Sequence, residues 1–298
     1  MRQRVAITGS SGLIGSALSA FLRARVDEVV RLVRRPPKEP DEVQWDPAAG
    51  VLDPADLEGV TAAVNLAGAG VGDHRWTPDY QQQILASRVD STTTLVRALV
   101  DLDQPVRLVS GSAVGFFCDR GDEVLTEQSG PGEGFLTEVV LAWEAAADPA
   151  REAGLPVAFS RTGLVLAAGG GAMARMVPLA RLGINGPLCS GKQWWPWISL
   201  RDTVAGLVWL VDHPELTGPV NLVGPQPERQ RQVASELGRQ LHRPALLPAP
   251  AFGIRAVLGG FADEVLTSKR VMPNALQDSG FQHTDTTVRS AIHAALDG

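Results

Sequence analysis

The hydrophobic positions of the chain alternate between two periods. Residues 5–7 form a short continuous apolar run, and Leu13, Ile14, Ala17, Leu18, Phe21 and Leu22 then recur at helical spacing. That switch predicts a buried strand followed by an amphipathic helix. The unit repeats: residues 28–33 predict a second strand, 43–45 a short one, and 62–67 a clearer one ending at Gly68. A long helix is expected over 77–100, opened by the N-cap and first-turn pair Thr77-Pro78, with Ile84, Val89, Leu95, Val96 and Leu99 on its apolar face. A strand over 106–110, a helix over 135–151 and a strand over 157–166 complete the series, which ends in Gly169-Gly170-Gly171. Strands alternating with helices predict an α/β fold, a Rossmann-like doubly wound parallel sheet with helices on both faces.

Past residue 170 the pattern changes. Residues 173–182 suggest a helix, 183–198 a loop rich in Gly, Pro and Trp, and 200–212 an amphipathic helix opened by Ser199. A short strand over 219–223, a helix over 230–241, an extended stretch over 244–250 and a helical tail broken at Pro273 and Gly280 follow. The expected organisation is a first domain over 1–168 and a smaller α+β substrate or lid domain over 169–298. The helix at 200–212 packs back on the first domain, and 245–298 form a C-terminal helical extension.

The loop between the first strand and the first helix carries the chemistry. Glycines stand at 9, 12 and 15, behind Thr8. Gly9 permits a sharp turn, Gly12 lets the backbone approach a pyrophosphate, and Gly15 allows close packing of helix and strand. The helix N-terminus adds free N–H groups and a partial positive charge for phosphates. Three glycines in a polar loop also suit a plain turn, but the strand before and the helix after select the dinucleotide reading. The second strand ends in Arg34-Arg35-Pro36-Pro37. An acid at that place, about 20 residues past the glycines, binds the 2′-hydroxyl of NAD, whereas an Arg accommodates the 2′-phosphate of NADP. Both candidates here are Arg, so NADP is expected over NAD; the other reading is two ordinary surface charges at a strand end.

Composition narrows the partners. The chain has 298 residues, 44% of them hydrophobic and 20% charged, which suits a folded core. A net charge of −6, with no basic cluster longer than Arg34-Arg35, argues against a nucleic-acid surface. Two cysteines, Cys118 and Cys189, are too few for a disulfide framework or a four-ligand zinc site, and no metal is expected. The N-terminus runs straight into a strand rather than a signal peptide, and no apolar run reaches the ~18 residues of a membrane span. The expectation is a cytoplasmic protein, monomer or homodimer, acting on a small molecule.

The stretch Thr8-Gly9-x-x-Gly12-x-x-Gly15 resembles the extended branch of the short-chain dehydrogenase/reductase superfamily. Further stretches sharpen this to one subfamily: Arg75-Trp76-Thr77, Ser87-Arg88, Ser112-Ala113-Val114-Gly115-Phe116-Phe117, Asp119-Arg120-Gly121-Asp122, Trp143-Glu144, Gly191-Lys192-Gln193-Trp194 and Trp197-Ile198. The tail, through Pro248-Ala249-Pro250, Lys269-Arg270-Val271-Met272-Pro273 and Gly280-Phe281, resembles that subfamily's added C-terminal domain. These are epimerase family proteins of the NAD(P)-dependent epimerase/dehydratase type. The resemblance implies that Thr8, Gly9, Ser11, Gly12, Leu13, Ile14 and Gly15, with Leu66, Ala67, Gly68 and Arg88, border the cofactor, and that Ser112 is the active-site serine. A solvated helical arginine is an equal reading of Arg88.

Catalysis in the wider superfamily uses a Tyr and a Lys four residues later, the Lys lowering the Tyr pKa. With Trp143-Glu144 marking the helix, those positions fall at Leu136 and Val140. The only tyrosine is Tyr80, with no Lys at plus four, and the only lysines are Lys38, Lys192 and Lys269. The Tyr–Lys mechanism is therefore excluded by inventory. Cys118, Asp119, Glu138 and Lys192 are the other groups able to move a proton, each also readable as an ordinary loop or surface residue. The run Trp194-Trp195-Pro196-Trp197 either stacks a flat ligand or fills a domain junction. Two functions follow: an NADP-dependent oxidoreductase or epimerase with an atypical proton donor, or a non-catalytic NADP-binding sensor or scaffold.

Overall fold

The apolar run that begins the chain is a strand buried on both sides, Val5 and Ile7 packing on one face of a sheet and Ala6 on the other. Such two-sided burial explains why it reads as continuous rather than alternating. The fold was obtained as a computed structural model describing residues 2–102 and 104–297. The elements run β1 (Arg4–Thr8), α1 (Leu13–Ala24), β2 (Glu28–Val33), β3 (Glu42–Gln44), β4 (Ala62–Asn65), α2 (Pro78–Val100), β5 (Arg107–Ala113), β6 (Val124–Leu125), α3 (Phe135–Ala145), α4 (Asp148–Glu152) and β7 (Val157–Thr162). Then come β8 (Leu164–Ala167), β9 (Gly170–Gly171), α5 (Met173–Arg181), β10 (Trp194–Trp195), β11 (Trp197–Ser199), α6 (Leu200–Asp212), β12 (Gly218–Leu222), β13 (Glu228–Arg229) and α7 (Gln230–Gln240). The C-terminal part holds α8 (Ala251–Leu258), α9 (Phe261–Leu266), β14 (Arg270–Val271), α10 (Asn274–Asp278) and α11 (Val288–Asp297).

Seven strands form one sheet in the order β12-β7-β5-β4-β1-β2-β3, every pair parallel. Leu18 and Leu22 of α1 and Val204, Leu207 and Val211 of α6 cover one face. Leu95 and Leu99 of α2, with Ala147 and Ala150, cover the other. The predicted start signals hold: Thr77 caps α2 through Tyr80 N–H, and Ser199 caps α6 through Asp202 N–H. The order reverses direction beside β1, and the carboxyl ends of β1, β4 and β5 open at that point, where such sheets bind ligands.

Three expectations change. The apolar stretch 157–166 is two strands, because a Cβ on Gly163 would lie 2.1 Å from Pro196 O; the chain turns there from the large sheet into the small sheet β11-β8-β9. The helix expected over 135–151 breaks into α3 and α4, with Pro149 in the first turn of the second. The short strand beyond 218 is not part of the second unit. As β12 it closes the edge of the large sheet against β7, with Asn221 opposite Arg161. Strand partners far apart in sequence leave no local signal, which is why a boundary at 168 separated them.

The small sheet packs with α5, α7 and α11 around Leu166, Met173, Trp195, Trp197, Val233 and Ile292. The C-terminal segment is stitched to both parts: β14 pairs with β6, Leu276 and Phe281 join the large sheet's core, and Ile292 joins the small one. No helix among the described residues is long and apolar enough to cross a membrane.

Candidate cofactor and active site

Each of the three glycines between β1 and α1 has a different environment. Gly9 has φ of +65°, and a Cβ there would lie 2.7 Å from Leu66 O. A Cβ on Gly15 would lie 2.2 Å from Gly9 O, so helix and loop touch backbone to backbone. Gly12 is different: a Cβ would meet only Gly9 O, at 3.3 Å, and the outer side is open. Gly12 is also the N-cap of α1 and brings no side chain to satisfy its first N–H groups. An open cradle of uncapped N–H groups fits a pyrophosphate. Ser11 is exposed on its rim, Leu13 packs under Gly170, and Ile14 rests on the core.

Thr8 is fully buried and supports the cradle from beneath. Its hydroxyl donates to Asn65 Oδ1 at 2.6 Å and accepts from the N–H groups of Leu66 and Ala67 at 2.9 and 3.0 Å. Asn65 Nδ2 in turn donates to Thr92 Oγ1 at 2.8 Å. This chain of bonds fixes the bend 66–68 beside the glycines. Beneath the bend lies Arg88, whose Nη1 donates to Ala69 O at 2.9 Å and Ile84 O at 3.0 Å while its guanidinium sits 5.1 Å from the Trp143 ring centre. It has no carboxylate partner among the described residues, and burial lowers it to about 10. At neutral pH it stays charged, an uncompensated cation under the cofactor loop.

The two strand-end arginines separate. Arg35 is bidentate on Glu42, at 2.8 and 2.6 Å, and Glu42 also accepts from Lys38 N–H. The Arg35 bond, followed by the Lys38 N–H, holds the Glu42 carboxyl at about 2. Arg35 is thus neutralised. Arg34 is exposed and has no ion-pair partner among the described residues.

At the carboxyl end of β5, Ser112 is 5% exposed and donates to Glu144 Oε1 at 2.6 Å. Glu144 is also gripped by Arg161, Nε to Oε1 and Nη2 to Oε2, both at 2.8 Å. The Arg161 guanidinium lies 3.5 Å from the Phe116 ring centre. Position 136 carries a Leu packed against Gly115, and Val140 is buried with Val114, Phe116, Phe117 and Leu125. Of the other proton-bearing candidates, Asp119 is committed to the N–H groups of Gly121 and Ser268, Glu138 and Lys192 are exposed, and Cys118 is a half-buried free thiol. Trp195 and Trp197 fill the small core, whereas Trp194 is flanked by Arg229 and Arg270 at 4.2 and 4.8 Å. Glu144 and Arg161 had no role in the sequence reading. Trp143-Glu144 was visible as a motif, but its pairing joins a helix to a strand with nothing local to announce it.

Residues 5–243 match the NAD dependent epimerase/dehydratase family, and residues 249–295 match a domain of unknown function, DUF1731. The chain is 42% identical to the epimerase family protein Mb2239 of Mycobacterium bovis over 289 residues, 97% of this chain and 96% of that protein. It is 32% identical to the chloroplastic epimerase family protein SDR39U1 homolog of Arabidopsis thaliana, over 98% of this chain and 86% of that one. The crystal structure of human epimerase family protein SDR39U1 with NADPH superposes with a TM-score of 0.90 at 31% identity, covering 99% of this chain and 100% of that one. The structure of a nucleoside-diphosphate sugar epimerase from Corynebacterium glutamicum gives 0.82 at 34% identity, covering 99% of this chain and 58% of that one. With the glycine cradle, the parallel sheet and these matches in agreement, the chain belongs to the NAD-dependent epimerase/dehydratase family, epimerase family protein type with a C-terminal DUF1731 domain.

Proposed function

We propose that this protein binds NADP(H) and is an oxidoreductase or epimerase of the extended short-chain type that works without a Tyr–Lys pair. The observation that carries the cofactor choice is Arg34, exposed just beyond the end of β2 and without an ion-pair partner among the described residues, one residue from an arginine already neutralised by Glu42. A bound nicotinamide would supply hydride transfer. The chain's part is to hold the pyrophosphate on the N–H groups of the Gly9–Gly15 loop and the 2′-phosphate on Arg34. The bend 66–68, with Arg88 beneath it, borders the remainder. Ser112 meets the substrate oxygen, and the small sheet with the C-terminal helices forms the substrate side. NADPH in the human SDR39U1 structure supports the choice of NADP. The free thiols Cys118 and Cys189 suit a reducing, cytoplasmic setting.

A second reading, a non-catalytic NADP-binding sensor or scaffold, draws on Leu136 and Val140, neither of which can carry a proton. Stopped-flow oxidation of bound NADPH, followed across carbonyl compounds and pH, tests the proposal. Little turnover is expected with sugar nucleotides or simple aldehydes and ketones, because a general acid worth typically 10²–10⁴-fold is absent from its usual place. Brisk turnover unaffected by Ser112→Ala would put the active site elsewhere.

A further inference from the structure

Ser112 does not stand alone. Its hydroxyl proton is committed to Glu144, so the oxygen faces any ligand with lone pairs only. Glu144 is held on both oxygens by Arg161, whose side chain is 5% exposed. Arg161 retains a buried Nη1 with no partner among the described residues. The groups that face the carboxylate are therefore Ser112 from β5 and Arg161 from β7, whose backbones pair directly, Ser112 opposite Arg161. This triad lies at the carboxyl end of the sheet, where the fold binds ligands. The apolar side chains of Leu136 and Val140 offer no competing acceptor.

We propose that Ser112 and Glu144 form the proton relay of this site, Ser112 touching the substrate and Glu144 acting through it, with Arg161 holding the carboxylate in place. This rests on the NADP(H) reading above. For an alcohol substrate, the O–H bond of the substrate breaks as a new Ser112 Oγ–H bond forms. The original Ser112 proton passes to Glu144 Oε1, which becomes the neutral acid. The hydride of the carbinol carbon goes to the oxidised nicotinamide, and the substrate becomes a carbonyl compound. In reverse, neutral Glu144 returns the proton through Ser112 to the forming alkoxide. With the carboxylate as partner Ser112 accepts from a substrate hydroxyl, and with neutral Glu144 it donates to the forming alkoxide, so one pair of residues serves both directions.

Two measurements test it. In the free protein, the infrared carboxylate band assigned to Glu144 by comparison with Glu144→Gln should shift in Ser112→Ala; an unshifted band overturns the contact. In single-turnover oxidation of bound NADPH by phenanthrenequinone, the wild type should exceed the rate of free NADPH and show a solvent deuterium isotope effect. Ser112→Ala and Glu144→Gln should each lose about 100-fold or more, with the isotope effect falling to near one. Ser112→Ala removes no charge, so it reports even where Glu144→Gln folds poorly. Wild-type rate or isotope effect in Ser112→Ala overturns the relay. So does a wild type that binds NADPH by calorimetry yet oxidises it no faster than free solution, a result that spares the cofactor reading. Absence of NADPH binding overturns the cofactor reading itself.

Discussion

Replacing Gly12 by Val should weaken cofactor binding strongly and leave the fold intact. The backbone there, φ −76° and ψ 173°, is extended and open to any residue. A Cβ would meet only Gly9 O at 3.3 Å, a contact relieved by a shift of a few tenths of an ångström. A β-branched residue at an N-cap instead of Gly costs the fold about 1 kcal/mol or less. The two added methyls, however, project into the open side, between the phosphates and the N–H groups that receive them. Each hydrogen bond to a charged group is worth about 1.5–3 kcal/mol, so displacing two of them removes about 3–6 kcal/mol, roughly 10²- to 10⁴-fold in affinity. Calorimetric titration with NADPH measures that loss, and thermal unfolding checks the fold. Gly15→Ala is the opposite control. Its Cβ would lie 2.2 Å from Gly9 O and 2.9 Å from Ser10 Cα, both backbone atoms, so the fold itself should suffer. A Gly12→Val protein that binds NADPH within about threefold of wild type, well under 1 kcal/mol, would reduce Gly12 to a turn residue and refute the cradle.

Other outcomes follow from the same geometry. Arg34→Glu should reduce or reverse the preference for NADPH over NADH, whereas Arg35→Ala, which leaves Glu42 with Arg31 and the Lys38 N–H, should lower stability near β2 and leave the preference largely in place, the preference read by calorimetry and the stability by thermal unfolding. Arg161→Ala should cost up to about 3 kcal/mol in denaturant unfolding, because it leaves the largely covered Glu144 without its cation. Glu127 is 7% exposed, accepts from Asn221 and Ala275 N–H, and has its carboxyl raised by burial. Its contribution to stability is full below the unfolded pKa of about 4.3 and is lost as pH rises through the raised folded value. Glu127→Gln keeps the acceptor for both N–H groups and should therefore flatten the stability–pH curve and raise the melting temperature at pH 8; a lower melting temperature there would contradict the buried-acid assignment.

The periodic elements were legible because period and burial coincide in them: β1, α1, α2 and α6 follow from apolar spacing and from the caps Thr77 and Ser199. The glycine loop was legible because its three positions bear backbone constraints that a one-dimensional pattern can express. What escaped was tertiary pairing. Nothing near residue 163 announces that Pro196 O crowds Gly163, and nothing near 219 announces that β12 joins β7. The same holds for the site. The sequence offered Arg34 and Arg35 as equals, and only the fold brings Glu42 onto one of them. It offered Ser112 as an isolated hydroxyl, whereas the partner that defines its hydrogen-bond direction sits 32 residues away on a helix.

The central claim is that an open glycine cradle and the exposed Arg34 hold NADP(H). Calorimetric titration of the purified protein with NADPH and with NADH tests it most directly. The account predicts that NADPH binds and that it does so more tightly than NADH by about 1–3 kcal/mol, the worth of the Arg34 contact to the 2′-phosphate. Equal or tighter binding of NADH would contradict it.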